Sequence, residues 1–264
     1  MSIVRPMDEL QIERDGAIVT VTLNRPEKKN AVIAPMWVEL GDNFDRIARD
    51  PSVRAVVVTG AGGDFCSGAD LWAPPGDEAP PHQLTAMRTV ARAIQTLHDL
   101  PQPTIAKVPG VAAGAGCSLA LACDLIVASD VARFSEIFAK RGLALDGGSS
   151  WLLPRMVGLH KAKELTFFAD ILSAAEAEEF GLVNRVVPAD ELDAFVDDWA
   201  SRLAAGPPIA LSLSKKMLNN ATHVTLAQAL EDEARSQSVT LASDDTADAF
   251  KAFVEKREPN FKGR

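Results

Sequence analysis

The chain has 264 residues, 47% of them apolar, and a formal net charge of -9. That length holds one large domain or one and a half, with enough apolar residues for a sizeable core. The acidic balance excludes a general nucleic-acid surface, and a polyanionic ligand would need local basic residues. No apolar run approaches the roughly 18 residues of a membrane span, and the start, MSIVRPMDEL, lacks the apolar core of a signal peptide. Cys66, Cys117 and Cys123 show no metal spacing, and an odd number of cysteines in apolar surroundings points to reduced thiols in a cytoplasm. His82, His98, His160 and His223 are scattered, so no metal site is expected.

Residues 8–23 read as two strands around Asp15-Gly16, with Ile18, Thr20 and Thr22 alternating with Val19, Val21 and Leu23. Asn24-Arg25-Pro26 breaks the run. Trp37, Leu40, Phe44 and Ile47 fall at helical spacing, which predicts an amphipathic helix over 34–49. Arg54–Thr59 is a buried strand ending in the glycine-rich turn Gly60-Ala61-Gly62-Gly63. Residues 72–82, WAPPGDEAPPH, form a Pro-rich polar loop, and a helix over 84–99 follows.

The stretch from Thr104 to Asp124 organises the rest. An apolar strand, Thr104–Val108, ends at Pro109-Gly110; Gly114, Ala115 and Gly116 then lead into an apolar helix. A helix start carries unpaired N–H groups and a partial positive charge, and small residues let a ligand oxygen approach the backbone. The stretch therefore reads either as an anion or oxyanion site, or as a small-residue turn that only lets helix and strand pack closely. A P-loop is excluded because no lysine lies between Lys107 and Lys140; a dinucleotide fingerprint fails at Leu119, where its third glycine belongs. Leu125–Ala128 is another strand, so strands and helices alternate as in an α/β core with parallel strands. Beyond Ala189 only helical periodicity remains, over Leu192–Leu203, Ile209–Asn219, Leu226–Leu241 and Ala247–Val254, with a hinge near Gly206-Pro207-Pro208.

Two strand-to-glycine-turn elements suggest two converging backbone donors, and at this point the chain resembles the crotonase (enoyl-CoA hydratase/isomerase) superfamily over essentially its whole length. The matching segments are LNRPEKKNAV at 23–32, DFCSGADL at 64–71, the central turn, GLALDGGSSWLLPRMVG at 142–158 and AFVEKREPNFKGR at 252–264. The resemblance implies an α/β fold with a ClpP-like spiral core of β-β-α units over 1–200. It also implies an all-helical oligomerisation part over 201–264, in a homotrimer or dimer of trimers. It implies an acyl-CoA substrate, no separate cofactor, and a thioester oxygen held by two backbone N–H groups. By position these are those of Ser67 and Ala115, the latter where most members carry glycine. Such donors are worth about 2.7–4 kcal/mol each when removed elsewhere.

The family's hydratases place and activate water with two glutamates; here those positions hold Ser118 and Phe138, and Glu136 is displaced by two residues. Asp146 stands where several members, ring-opening phenylacetyl-CoA-pathway isomerases among them, carry a catalytic acid. Its other reading is a helix N-cap ahead of Gly-Gly-Ser-Ser-Trp. The resemblance further implies CoA contacts from Arg25, Lys28 and Lys29 and from Gly68, Ala69 and Gly114. Phe253 and Lys256 would meet the adenine and phosphates from a neighbouring subunit. Trp72, Ser118, Phe138 and Leu145 would line the acyl pocket. Asp70, grouped with the acyl-CoA contacts, also reads as a turn cap, and Ser118 as a lining hydroxyl because no base accompanies it. The expected activity is enoyl-CoA isomerisation with Asp146 moving the proton, in fatty-acid or aromatic-acid breakdown. The alternatives are an enoyl-CoA hydratase with an unusual acid and a CoA-ester binding protein without chemistry.

Overall fold

The computed structural model describes residues 7–70 and 82–264. The elements in chain order begin with β1 (Leu10–Asp15), β2 (Ile18–Leu23), α1 (Ala34–Ala48), β3 (Ala55–Gly60) and α2 (Gln83–His98). They continue with β4 (Thr104–Val108), β5 (Val111–Ala113), α3 (Ala115–Leu121), β6 (Leu125–Ser129) and β7 (Arg133–Ser135). Next come α4 (Ser149–Val157), α5 (Leu159–Phe168), β8 (Leu172–Ser173), α6 (Ala174–Glu179) and β9 (Arg185–Val187). The helices α7 (Leu192–Ala205), α8 (Pro208–Asn220), α9 (Leu226–Leu241) and α10 (Asp244–Glu255) complete the chain.

A 6-stranded sheet runs in the order β1-β2-β3-β4-β6-β9, antiparallel only between β1 and β2. The central strands β3, β4 and β6 are buried over nearly their whole length because both faces are covered, whereas β1 is exposed beyond Leu10. Val56, Val58, Ala106, Val108, Ile126 and Ala128 face the main core with α1, α2 and α3, while Val57, Ile105 and Val127 face the opposite way. Leu192, Val196 and Ala200 of α7, spaced one turn apart, cover that second face. A 3-stranded sheet, β5-β7-β8, lies to the side of the first. Its strands of two or three residues carry too little periodicity to be read from sequence.

Because α7 runs through Ala205 and closes the sheet, the expected boundary at 200/201 falls inside a helix; the structural break is at Gly206. Beyond it, α8 and α9 bury no residue, and α10 buries only Asp245 and Ala252. Lys215 of α8 reaches back to Asp124 at 2.8 Å, and Arg54 donates to the carbonyls of Gly206 and Phe261.

Segment 63–66 crosses the central turn at backbone contact. Phe65 and Cys66 both donate to the Val111 carbonyl, and Ala113 donates to that of Cys66 at 2.9 Å. A Cβ on Gly116 would stand 2.2 Å from the Cys66 oxygen. The obstacle is backbone, so no rotamer change relieves it. Gly116→Ala is expected to destabilise the protein by about 1–3 kcal/mol or more. Gly41→Ala in α1, where the nearest atoms are 3.4 Å away on the Arg92 side chain, is expected to stabilise by about 0.5–1 kcal/mol. Urea midpoints of the two variants check the contrast.

Candidate functional site

The site is built where residues 65–70 meet the start of α3. Gly68, at φ +103, lies so close that a Cβ there would be 2.9 Å from the Ala113 oxygen and 3.6 Å from the Ala115 nitrogen. Gly114 takes φ 52 and ψ -128, open to glycine alone, and turns the chain into α3. The Ala115 N–H, first of that helix, has no hydrogen-bond partner among the described residues.

The donor expected from Ser67 is engaged: its N–H gives a 2.9 Å bond to the Lys29 carbonyl. Val32 donates to Gly68 and accepts from Asp70, so the amide between them, that of Ala69, is directed away from Val32. The Ala69 N–H has no partner among the described residues. The correction is a shift of two residues, set by pairing with segment 29–32 that the local sequence does not reveal. The unpartnered pair of donors is therefore Ala69 and Ala115.

The basic cluster is also redistributed. Arg25 is turned inward: its guanidinium pairs with Asp70 at 2.9 Å and donates to the Ala31 carbonyl, both charged side chains being mostly buried. Arg25 and Asp70 thus brace the loop from within. Lys29 is exposed and pairs with Asp64 at 3.4 Å; Lys28 is exposed. Asn30, missed in the sequence, is fully buried and staples this loop to the glycine turn. It accepts from the Arg25 N–H and donates to the Ala61 and Asp64 carbonyls. Phe253 is 86% exposed on α10, and Lys256 caps that helix in the left-handed region. Trp72 lies outside the described residues.

Phe138 is buried beside Gly114, and Leu145 is half-buried. Ser118 is a tie and not an open lining hydroxyl. It is fully buried, with its Oγ 3.2 Å from the Gly114 and Asp146 carbonyls and 2.8 Å from Ser149 Oγ. Ser149 Oγ in turn lies 3.2 Å from Glu136 Oε1. Asp146 does not cap α4: the N-cap is Gly148, without a side-chain cap bond. Its carbonyl accepts from the Ser149 N–H at 3.1 Å, while its carboxyl Oδ1 is buried without a partner among the described residues. Burial raises the Asp146 carboxyl above the usual range.

Glu136 points to the far side of α3, where it is 3% exposed beside a cavity of about 10 Å³, at the threshold for one water. Burial pushes it up to about 7, opposed by the Cys117 thiol and Ser149 hydroxyl and assisted by the Asp146 charge. The three cysteines are free and buried. Burial raises the Cys66 thiol to about 12 and lifts Cys117 and Cys123 as well, so none is a ready nucleophile.

The geometry defines an α/β protein whose two glycine-turn loops present backbone N–H donors beside one desolvated carboxylate. The enoyl-CoA hydratase/isomerase family model matches residues 13–264. A 1,2-epoxyphenylacetyl-CoA isomerase of Escherichia coli K12 is 37% identical over 253 residues, 95% of this chain and 97% of the relative. A 2,3-dehydroadipyl-CoA hydratase of the same organism is 33% identical over 260 residues, 98% and 100% of the two chains. The crystal structure of an enoyl-CoA hydratase from Bacillus anthracis superposes with a TM-score of 0.90 at 31% identity, covering 97% and 100%. The chain belongs to the enoyl-CoA hydratase/isomerase family and has its crotonase fold.

The raised Glu136 carboxyl makes stability pH-dependent. Its folded value of about 7 exceeds the ordinary 4.5, so the native state holds the proton more tightly. This stabilisation is complete below about 4.5 and is lost as pH rises through about 7. Glu136→Gln cannot ionise and escapes the loss. Melting curves from about pH 5 to about pH 8 should show the variant gaining on the parent as pH rises.

Proposed function

We infer that this chain is an acyl-CoA isomerase that shifts a proton along an unsaturated or epoxide-derived acyl chain, with Asp146 as the proton carrier. The observation that carries this reading is the Asp146 carboxyl, desolvated, capping nothing, with one oxygen lacking a partner among the described residues. Asp146 removes a proton from one carbon of the acyl chain; the electron pair moves onto the thioester oxygen, giving an enolate. The N–H groups of Ala69 and Ala115 stabilise that oxygen. The proton returns to a different carbon, and no water enters the balance. The reaction asks for no cofactor beyond the CoA of its substrate.

Against water addition stand Ser118, whose hydroxyl is already tied, and Phe138, which makes its wall apolar. Similarity to the 1,2-epoxyphenylacetyl-CoA isomerase extends the substrate range to aromatic acyl groups. Lys28 and Lys29, exposed beside the loop, are the cations offered to the CoA phosphates, with Phe253 and Lys256 supplied by a neighbouring subunit. The buried, free cysteines suit a reducing cytoplasm.

Asp146→Asn keeps the shape but cannot carry a proton. It should leave acyl-CoA affinity and melting temperature near the parent's and lower kcat by about 10²–10⁴-fold. Product mass separates the chemistries, since isomerisation adds nothing and hydration adds a water. Retained turnover in the Asn variant would remove Asp146 from the mechanism.

The assembly reading has its own test. Leu218, Leu226, Phe253 and Val254 are each more than 70% exposed on α8–α10, an apolar display that association would cover. Sedimentation equilibrium at micromolar concentration should give a trimer or dimer of trimers; a clean monomer would count against supply of Phe253 and Lys256 from a neighbour.

A further inference from the structure

Glu136 belongs to no step described above, yet it is joined to the Asp146 loop by an unbroken chain of buried groups. Glu136 Oε1 is 3.2 Å from Ser149 Oγ, Ser149 Oγ is 2.8 Å from Ser118 Oγ, and Ser118 Oγ is 3.2 Å from the Asp146 carbonyl. Glu136 is 3% exposed and Ser118 and Ser149 are fully buried, so the links are shielded from bulk solvent. Each serine hydroxyl has one proton to donate. The direction of the whole chain is therefore decided at its Glu136 end.

When Glu136 is ionised it can only accept, so Ser149 donates to it. Ser149 then accepts from Ser118, whose single proton is withdrawn from the Asp146 carbonyl. When Glu136 is protonated it can donate to Ser149, Ser149 donates to Ser118, and the Ser118 proton is freed for the Asp146 carbonyl, which shares it with the Gly114 carbonyl at the same 3.2 Å. We propose that Glu136 is a positioning residue for Asp146, acting through the Ser149–Ser118 hydroxyl chain, whose direction sets how firmly the Asp146 loop is held. The proposal deepens the reading of Asp146 as proton carrier and rests on it.

The groups facing Glu136 leave it able to switch. They are the Cys117 thiol from α3, the Asp146 carboxyl, the neutral Ser149 hydroxyl from α4, and Asp170, which lines the same small cavity. Asp170 is largely exposed and paired with Lys140 at 3.1 Å. No cation opposes the protonated form among these neighbours, and the carboxyl's Oε2 has no partner among the described residues that would hold it ionised. Its raised value of about 7 places the switch in the neutral range.

The test compares the parent with Glu136→Gln and Ser149→Ala. In turnover of an enoyl-CoA, the parent kcat should fall about 2- to 12-fold as pH rises through neutrality, the rate equivalent of one hydrogen bond of ordinary net strength. Glu136→Gln should lose that inflection. Ser149→Ala should lose it too, although Glu136 still titrates there, as the infrared band of its protonated carboxyl will show. An inflection retained in Ser149→Ala would mean that Glu136 acts on Asp146 through its charge alone, and would overturn the proposal. So would an unaltered profile in Glu136→Gln.

A readout without turnover separates this proposal from the assignment of activity. Amide exchange of residues 143–149, corrected for its intrinsic pH dependence, should accelerate above neutrality in the parent but not in either variant. This pattern in a protein that isomerises no acyl-CoA would uphold the hydroxyl chain and sink only the activity. Exchange that follows the intrinsic dependence in all three proteins would overturn the chain itself.

Discussion

Backbone lying on backbone is the constraint from which the rest of the site follows. Segment 63–66 crosses the central turn so closely that side chains are excluded at three places. A Cβ on Gly60 would meet the Phe65 oxygen, one on Gly110 the Gly63 oxygen, and one on Gly116 the Cys66 oxygen, each at 2.2 Å. The crossing is held by main-chain hydrogen bonds to Val111 and Ala113. Two consequences follow together. The first loop is fixed against α3 by backbone contacts, and the amides of Ala69 and Ala115 are left without partners among the described residues. Donors of this kind are rigid before a ligand arrives, which is what stabilising a developing oxyanion requires.

Holding the first loop at that crossing takes a second brace, and it uses the residues whose charges look ready for a ligand. Arg25 reaches inward to Asp70 and Ala31, while Asn30 ties the Arg25 amide to the carbonyls of Ala61 and Asp64. A mostly buried ion pair stabilises little when compared with apolar packing, but breaking it leaves a charge stranded. Its effect here is on register: it fixes residues 67–70 relative to 29–32, and hence which amide is free.

Most strands of the large sheet were legible because they are long and strongly patterned; β9, three residues at its edge, was not. The alternation of β2, the apolar β3 and the helical spacing of α1 each identify one element without outside help. The lesser sheet was hidden, since three residues such as Arg133–Ser135 carry no period. Within the site, Asp146 and Ala115 were named through the family resemblance, and the structure leaves a carboxyl oxygen of the one and the amide of the other without a partner among the described residues. Ser67 in place of Ala69 was a different kind of miss. Residues 67–70 are not regular extended backbone, since Gly68 takes φ +103, and only the pairing of Ser67 with Lys29 and of Asp70 with Val32 decides which amide is engaged. Arg25 was misplaced for a related reason: a charge run looks alike whether it faces water or a buried aspartate. Glu136 was visible as an acid out of position, but its partner Ser149 is contributed by a helix 13 residues away.

The two carboxylates near α3 show how one helix separates two environments. Both are desolvated, and both keep one oxygen without a partner among the described residues. Glu136 shares a small cavity with Phe134, Leu153, Leu165, Leu172 and Leu182, and its hydrogen bond to Ser149 links it to Ser118. Asp146 sits on an irregular loop between Leu145 and two glycines, partly open, on the side of Ser118 away from Glu136. Groups that share a desolvation but differ in access can divide the work in the way proposed above, one meeting substrate and one conditioning it. Ser118, standing where the family's hydratases carry glutamate, is the joint between them. Replacing a carboxylate there by a hydroxyl removes a base that could activate water. It also supplies the donor-acceptor link that a second carboxylate, placed deeper, needs to reach the loop.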